Sequence, residues 1–286
     1  MPTGESIHIA VNRVDTGHYG PEVPVLEGCE NDSTTMKIIA ERAGFHVWKE
    51  LANECATTNS VTEAIQEASK RLRSGDILLL TYAGHGAQVP DRNGDEPSGW
   101  DSTWCLYDRM LIDDELHSLW GGFEAGVRVL VVSDSCSSGS VVRRIAPAGL
   151  EVRFEAHRDT RAPSLILPPS IRRRRLPFRI QADVYAKHKD MYDAIQDRLP
   201  QGDRVGVGAT VLLLAACQDN QFAGESGDDG TFTLGLKIIW DEGKFRGYYK
   251  QFLDRIASLM PDSQTPNYFL VGAPNNVFER QTPFTI

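Results

Sequence analysis

Two apolar stretches that each end in a reactive side chain decide the predicted fold: ILLLTYAGHG at residues 77–86 and VRVLVVSDSCSSG at residues 127–139. Both are short, rich in branched aliphatic residues and without helical spacing, which is typical of buried strands in a parallel sheet. Because ligands bind beyond the carboxyl ends of such strands, neighbouring strands would place His85 and Cys136 in one crevice. A histidine beside a cysteine is the minimum for nucleophilic catalysis by a thiol.

The remaining sequence alternates between strand and helix patterns. Alternation of this kind predicts an α/β fold with a mostly parallel six-stranded sheet sandwiched between helices. We expect a small hairpin before the second stretch, at 104–106 and 110–112, and a short helix that starts at Asp113. The other predicted strands are 7–11, 45–51, 210–216 and 267–271, and the main predicted helices have helical spacing at 36–43, 61–72, 182–199, 232–240 and 248–260.

The composition limits the function classes. A net charge of −9 argues against a general nucleic-acid binder and would suit a basic substrate. The five cysteines are scattered and odd in number, so they predict neither a disulfide framework nor a zinc site. No apolar run approaches the length of a membrane span, and the first residues do not resemble a signal peptide. We therefore expect a cytoplasmic protein.

One part of the chain breaks the pattern. Residues 143–205 hold many Pro and Arg residues, including four consecutive arginines, Arg172 to Arg175. Such a long irregular stretch in one compact domain, here predicted to be residues 1–286, is usually disordered or functional. The acidic, Gly-containing segment 225–230 is expected to be a flexible loop rather than a phosphate-binding one.

Three motifs carry a resemblance to a known family. YAGHG at 82–86 and DSCSSG at 134–139 resemble the catalytic His and Cys motifs of the metacaspases, and LEGCEND at 26–32 resembles the motif after their first strand. Metacaspases are caspase-like cysteine peptidases of bacteria, plants, fungi and protists. The resemblance implies a caspase-like fold and a Cys-His dyad that needs no cofactor for its chemistry.

The resemblance also assigns the reacting groups. His85 would exchange protons with the thiol of Cys136, and the backbone N–H groups of Gly86 and Cys136 would hold the oxyanion. Two departures from the family pattern stand out. Ala83 occupies a position that is often Ser and lines the specificity pocket, and Ser137 follows the catalytic Cys where His is usual.

The expected substrate is basic. Asp134 lies two residues before Cys136 and so points to the same face of a strand, and Asp32 could supply a second charge. Two carboxylates beside the nucleophile call for Arg or Lys in the substrate, and the resemblance makes Cys29, Asp32, Ala83 and Asp134 the binding pocket. The alternative is that Asp32 only caps its helix and Asp134 only bonds a turn.

Calcium is a further expectation from the resemblance. Asp101, Asp113 and Asp114 match three carboxylates that bind Ca²⁺ in many metacaspases, and carboxylate oxygens suit that ion. Arg143 stands at the fourth position, seven residues past Cys136, and could instead replace the metal by pairing with the aspartates. Residues 91–95 mimic the start of an EF-hand loop, but the Gly is misplaced and no terminal Glu follows.

The leading hypothesis is therefore a cysteine endopeptidase that cleaves after Arg or Lys in protein or peptide substrates, acting as a monomer. The Arg-rich segment 143–205 offers sites for self-processing of a zymogen, or else it is a solvated loop or a patch for an acidic partner. A non-catalytic caspase-like adaptor and a thiol transferase are the competing hypotheses.

Overall fold

The computed structural model describes residues 1–96, 98–136, 152–155, 172–199, 206–218, 221 and 223–286. The strands are β1 Gly4–Ala10, β2 His46–Ala52, β3 Ile77–Ala83, β4 Gly86–Pro90, β5 Trp100–Cys105, β6 Met110–Ile112, β7 Arg128–Asp134, β8 Val152–Glu155, β9 Arg172–Arg173, β10 Thr210–Ala215, β11 Gly224–Ser226, β12 Asp229–Gly230 and β13 Asn267–Gly272. The helices are α1 Thr16–Tyr19, α2 Cys29–Arg42, α3 Thr58–Arg71, α4 Asp113–Trp120, α5 Phe178–Lys187, α6 Lys189–Arg198, α7 Thr231–Trp240, α8 Tyr249–Leu259 and α9 Asn276–Arg280.

One large sheet organises these elements. Its strand order is β2-β1-β3-β7-β10-β13-β8. The first five strands are parallel to their neighbours, and β13 and β8 are antiparallel to theirs. The six predicted strands are all present, which confirms the fold class, and the four-residue strand β8 adds a seventh at the edge. A mostly parallel sheet must be covered on both faces.

Two apolar clusters provide that cover. The first packs α3 and α4 against alternate residues of the central strands, such as Leu80 and Val131. The second packs α2, α7 and α8 against the intervening residues, such as Leu79 and Val132. This alternation explains why the strands are apolar at nearly every position, since both faces are buried. Cys136 belongs to the second cluster.

Two small sheets lie beside the end of the large sheet at which its parallel strands finish. Strand β4 pairs with β5 and β5 with β6, so the predicted hairpin has a third strand that begins at Gly86. Strand β11 pairs with β12 and with β9. The prediction of a flexible loop at 225–230 was therefore wrong, since β11 and β12 form a hairpin there. The acidic and glycine residues of 225–230 have little strand propensity, so the sequence pattern does not indicate these strands.

The N-termini of α2 and α3 are formed in different ways. Helix α2 begins at Cys29, before Asn31 and Asp32, and it has no side-chain cap. The side chain of Thr57 caps α3 and accepts from the backbone N–H of Ser60, so Ser60 lies inside the helix. Because α2 begins at Cys29, Asp32 lies inside the helix and does not cap it.

Candidate active site

His85 and Cys136 lie at the same rim of the large sheet. Strands β3 and β7 are parallel neighbours, and Ala83 is in register with Asp134. His85 and Cys136 each follow that pair by two residues. Both are almost completely buried, with 1% and 0% of their surface exposed. The arrangement that the sequence predicted for the two strand ends is thus present.

The imidazole of His85 is oriented by a backbone carbonyl. Its Nε2 lies 2.7 Å from the carbonyl oxygen of Pro24. A carbonyl only accepts, so Nε2 carries the proton and Nδ1 keeps its lone pair. Nδ1 is buried and has no partner among the described residues. Burial lowers the pKa of His85 to about 4, helped by the nearby charge of Arg174. The ring is therefore a neutral base with Nδ1 as the basic atom.

The Cys136 thiol is held against the segment before β11. Its Sγ accepts from the backbone N–H of Ala223 at 3.0 Å, and it lies 3.5 Å from the carbonyl oxygen of Ala223. All five cysteines are free.

Two backbone N–H groups converge on one carbonyl oxygen. Gly86 donates to the carbonyl of Arg174 at 2.9 Å, and Cys136 donates to the same oxygen at 3.2 Å. These are the two groups that the sequence predicted for an oxyanion hole. A Cβ atom at Gly86 would overlap the carbonyl oxygen of Cys136, so the close approach requires glycine.

The Arg174 side chain fills an acidic pocket beside the thiol. The arginine is fully buried and pairs with three carboxylates. Its Nη2 atom lies 2.5 Å from Asp32 and 3.5 Å from Glu225, and its Nη1 atom lies 3.2 Å from Asp134. Burial would lower the pKa of Arg174, but Asp134 and Asp32 raise it well above its usual range. The guanidinium is permanently charged.

Each pocket aspartate is fixed by further hydrogen bonds. Asp32 accepts from the backbone N–H of Gly230 at 2.9 Å. Asp134 accepts from the backbone N–H and the hydroxyl of Thr233, at 3.0 and 2.7 Å. Burial raises the pKa of Asp32 to about 7, because desolvation and the charge of Asp134 outweigh the effect of Arg174. Neither aspartate caps its helix or bonds only a turn.

The other two predicted pocket residues form an apolar patch next to these charges. Cys29 and Ala83 pack with Ala10 and Leu26 in a small buried cluster. Burial raises the pKa of the Cys29 thiol well above its usual value, although the charge of Arg174 opposes the shift. Cys29 is thus a neutral wall of the pocket rather than a second nucleophile.

Arg174 belongs to a segment that lies across the site in extended form. Strand β9 pairs antiparallel with β11, with Arg173 opposite Gly224 and Arg172 opposite Glu225. The Arg174 N–H donates to the carbonyl of Ala223 at 2.9 Å. Beyond Arg174, the Leu176 N–H donates to the carbonyl of Gly86 at 2.9 Å. The peptide bond between Arg174 and Arg175 is therefore held on both sides, as a bound peptide would be.

The three predicted calcium ligands lie elsewhere, around the β4-β5-β6 sheet. Asp101 is 1% exposed, and neither of its carboxylate oxygens has a hydrogen-bond partner among the described residues. Asp113 accepts from the backbone N–H of Ser102 and Asp114 accepts from Asn93. Arg143 lies outside the described residues, so its predicted pairing stays untested.

A different set of carboxylates could converge on one ion. In the part of the chain that the structure describes, ligand atoms of Asp91, Asp95 and Asp101 lie within 4.8 Å of one another. Burial and the charges of Asp114, Asp91 and Asp95 together raise the pKa of Asp101 to about 8. In the sequence, residues 91–95 resemble only the start of an EF-hand loop, and their spacing gives no reason to join them to Asp101.

Comparison with known proteins identifies the family. Residues 14–279 match the family described as the caspase domain. The chain belongs to the caspase-domain family. Caspase-1 of Spodoptera frugiperda aligns with 95% of this chain and 86% of its own chain at a TM-score of 0.54, and with 13% identity that likeness concerns the fold alone.

Metacaspases are similar to part of this caspase-domain chain. Metacaspase-7 of Arabidopsis thaliana is 32% identical over 135 residues, which is 44% of this chain and 34% of that protein. Metacaspase-1B of Aspergillus fumigatus is 32% identical over 131 residues, 41% of this chain and 32% of that protein. The chain spans about a third of the length of these curated relatives. The predicted resemblance to the metacaspases and to the caspase-like family is confirmed.

A solved bacterial structure extends over the whole chain. A protein of Geobacter sulfurreducens covers 100% of this chain and 99% of its own, at 41% identity and a TM-score of 0.82. Among the described residues, no helix of this caspase-domain protein is both long and apolar enough to cross a membrane.

Several groups in the site escaped sequence analysis. Pro24 acts through its backbone, and no side-chain pattern marks such a role. Glu225 was hidden in a segment expected to be a loop. Arg174 was recognised as one of several candidate cleavage points, but nothing in the sequence distinguished it from its three arginine neighbours.

Proposed function

We propose that this caspase-domain protein is a cysteine endopeptidase that cleaves after Arg or Lys, and that it first cleaves itself between Arg174 and Arg175. One observation carries the proposal. The Arg174 carbonyl accepts from the N–H groups of Gly86 and Cys136 while its guanidinium lies among acidic side chains. A carbonyl held by two N–H donors next to a thiol is the geometry that acyl transfer needs.

The first half-reaction forms a thioester. Nδ1 of His85 takes the proton of the Cys136 thiol, and the sulfur attacks the carbonyl carbon of Arg174. The oxygen gains a negative charge, which the N–H groups of Gly86 and Cys136 stabilise. The bond to the Arg175 nitrogen then breaks as His85 returns its proton to that nitrogen.

The second half-reaction regenerates the enzyme. Water enters where the amine left and gives a proton to Nδ1 of His85 as its oxygen attacks the thioester carbon. The tetrahedral species collapses, the sulfur leaves and recovers a proton from His85, and the Arg174 carboxylate is free to depart. The carbonyl of Pro24 keeps the imidazole in one tautomer throughout.

The acidic pocket supports the basic specificity. A buried carboxylate is costly unless a cation meets it, and Asp32 and Asp134 are both buried with Arg174 between them. A substrate with Asp at the same position would add a like charge to the pocket. The site is therefore suited to a basic side chain and unsuited to an acidic one.

A divalent cation is proposed at Asp91, Asp95 and Asp101. The fit rests on the buried Asp101 carboxylate, both of whose oxygens lack partners among the described residues. Three carboxylates suit Ca²⁺. The cation would supply charge neutralisation that braces the β4-β5 hairpin, whose other end carries Gly86 opposite Trp104. No chemical step requires it.

Two finer proposals concern assembly and location. The edge of the large sheet beyond β13 is β8, which is only four residues long, and so short an edge strand is a poor template for pairing with a second copy. This favours a monomer. Five free cysteines are typical of a reducing compartment, which favours a cytoplasmic location.

The main proposal is tested with purified protein and peptides. Fluorogenic peptides that end in Arg, Lys or Asp are offered to the wild type and to Cys136→Ala. We expect turnover of the Arg and Lys peptides by the wild type alone. No self-cleavage and no turnover of any peptide by the wild type would instead support a caspase-like adaptor, and turnover of the Asp peptide alone would overturn the pocket assignment.

A further inference from the structure

The segment that follows the proposed cleavage point is anchored in the core. Leu176 is fully buried and belongs to the first apolar cluster. Its backbone N–H donates to the carbonyl oxygen of Gly86 at 2.9 Å. Moving this segment away from the site would return a whole leucine side chain to water and would break that hydrogen bond. The nitrogen of Arg175 is therefore held at the site by the next residue in the chain.

Further contacts hold the same segment against β4. The Nη2 atom of Arg175 donates to the side-chain oxygen of Gln88 at 3.0 Å, and Arg175 forms an isolated parallel bridge with Gly86. Helix α5 follows directly, and the side-chain oxygen of Gln181 accepts from the backbone N–H of Gln88 at 3.0 Å. Residues 175–181 are thus attached to the strand that carries the oxyanion donor Gly86. Cleavage would break none of these contacts.

The acyl half of the site is held equally well. Three carboxylates surround the guanidinium of Arg174, and two N–H groups bind its carbonyl oxygen. The side chains of His85 and Cys136 are almost completely buried, so little water reaches the sulfur. The first half-reaction would therefore leave a buried thioester and a newly formed amine side by side. The amine then competes with water for the thioester and starts from the better position.

We infer that this protein is also a peptide ligase, which transfers an acyl group that ends in Arg from Cys136 to an α-amino group held at the position of Arg175. The amine nitrogen attacks the thioester carbon, and Nδ1 of His85 takes one proton from that nitrogen. The carbon–sulfur bond breaks as the carbon–nitrogen bond forms, and the sulfur recovers the proton from His85. The thioester supplies the driving force, so no further reactant is needed. This inference rests on the proposed function.

The anchor defines the acceptor and the expected rate. The acceptor is the amino end of a chain whose second residue is apolar, because that residue must fill the place of Leu176. Oriented groups react with effective molarities that can exceed about 10⁵ M. An α-amino group has an ordinary pKa of about 8, so about half of it is neutral at pH 8. Transfer should therefore exceed hydrolysis at least about tenfold at that pH.

The test uses the protein's own fragment as the acceptor. Wild-type protein that has already cleaved itself is mixed at pH 8 with acetyl-Ala-Ala-Arg coupled to aminomethylcoumarin, and the reaction is quenched with acid during the first turnover. Released coumarin counts every thioester that forms. Mass spectrometry then measures free acetyl-Ala-Ala-Arg, which reports hydrolysis, and fragment 175–286 with the tripeptide on its amino end, which reports transfer. We expect the second product in at least about tenfold excess.

Three variants assign the effect to the anchor. Leu176→Ala removes most of the buried side chain, and the ratio of transfer to hydrolysis should fall at least about tenfold. Arg175→Ala removes the hydrogen bond to Gln88 and should lower the ratio about two- to threefold. Leu253→Ala is the matched control, because it truncates an equally buried leucine on α8 in the second apolar cluster. It should keep the wild-type ratio.

The outcomes separate the two proposals. Absence of both self-cleavage and coumarin release refutes the proposed function, whereas coumarin release with hydrolysis as the main product refutes only the ligase inference. An unchanged ratio in Leu176→Ala overturns the role of the anchor. If Leu176→Ala has lost its cooperative thermal unfolding, Arg175→Ala decides, and an unchanged ratio there overturns it instead.

Discussion

Replacing Arg174 should stop self-cleavage far more strongly than replacing its neighbours. The wild type should yield fragments 1–174 and 175–286, because the Arg174 carbonyl accepts from both Gly86 and Cys136. Arg174→Gln removes the charge that meets three buried carboxylates. Breaking a buried ion pair on one side costs about 3–5 kcal/mol, and 1.36 kcal/mol is a factor of ten in rate. Cleavage at position 174 should therefore slow by at least about 100-fold.

The charge-preserving variant gives a graded result. In the wild type, Nη1 of Arg174 contacts Asp134 while Nη2 contacts Asp32 and Glu225. A lysine has one nitrogen and cannot occupy both positions, so Arg174→Lys should cleave at roughly a tenth of the wild-type rate. Arg173→Ala is the neighbouring control, since Arg173 lies opposite Gly224 and outside the acidic pocket. It should cleave at close to the wild-type rate.

The assay follows newly made protein. Cell-free synthesis with a radioactive pulse gives the rate at which the two fragments appear, and intact-mass spectrometry identifies the bond. Cys136→Ala sets the background. Equal rates for Arg174→Gln and the wild type, or cleavage at another bond in the wild type, would refute the reasoning, because either would mean that the seated Arg174 is not the substrate.

Three further predictions concern the catalytic groups and the acidic cluster. Gly86→Ala should lower kcat by at least about 100-fold, since its Cβ would push the Cys136 carbonyl away and displace an oxyanion donor; peptide turnover with circular dichroism checks this, and near-normal turnover would contradict it. Once the segment that carries Arg174 leaves the site and water enters, the pKa of His85 should move from about 4 toward its usual 6.5. Log kcat/KM should then fall by about one for each pH unit below about 6. A flat profile down to about pH 4.5 would argue for a thiolate–imidazolium pair instead. The pKa of Asp101 is about 8 in the folded state and 3.8 in the unfolded state, so the folded protein loses stability as the pH rises between these values. Asp101→Asn should therefore raise Tm by about 2–4 °C at pH 8 and leave it unchanged at pH 4. Calcium chloride should raise Tm of the wild type only, and the same gain in both proteins would exclude Asp101 as a ligand.

The sequence was most informative where burial determines residue type. Strands covered on both faces must be apolar throughout, so β3, β7 and β10 stood out as apolar runs. Their parallel order then placed His85 and Cys136 at one rim, and the period of two placed Asp134 beside Cys136. For these residues, local pattern and tertiary position carry the same information.

Other parts depend on contacts that no local pattern encodes. The carbonyl of Pro24 acts through an atom that every residue has. Glu225 reached the site on a three-residue strand whose pairing partner, β9, lies more than 50 positions away. Asp91 and Asp95 join Asp101 only because β4 and β5 fold back on each other. The choice of Arg174 among four arginines likewise depends on the register of β9 against β11.

The segment from Arg172 to Leu176, which lies across the site, would still affect activity after the first cleavage. Cleavage would leave Arg174 as a chain end that stays covalently connected to Cys136 through the intervening chain. On the other side, Leu176 is fully buried and anchored to Gly86. A tethered ligand returns at an effective concentration of the order of millimolar, so the enzyme would carry its own competitive inhibitor. Its activity toward other proteins would then depend on how well they outcompete that tail, which sets a concentration threshold for free substrates.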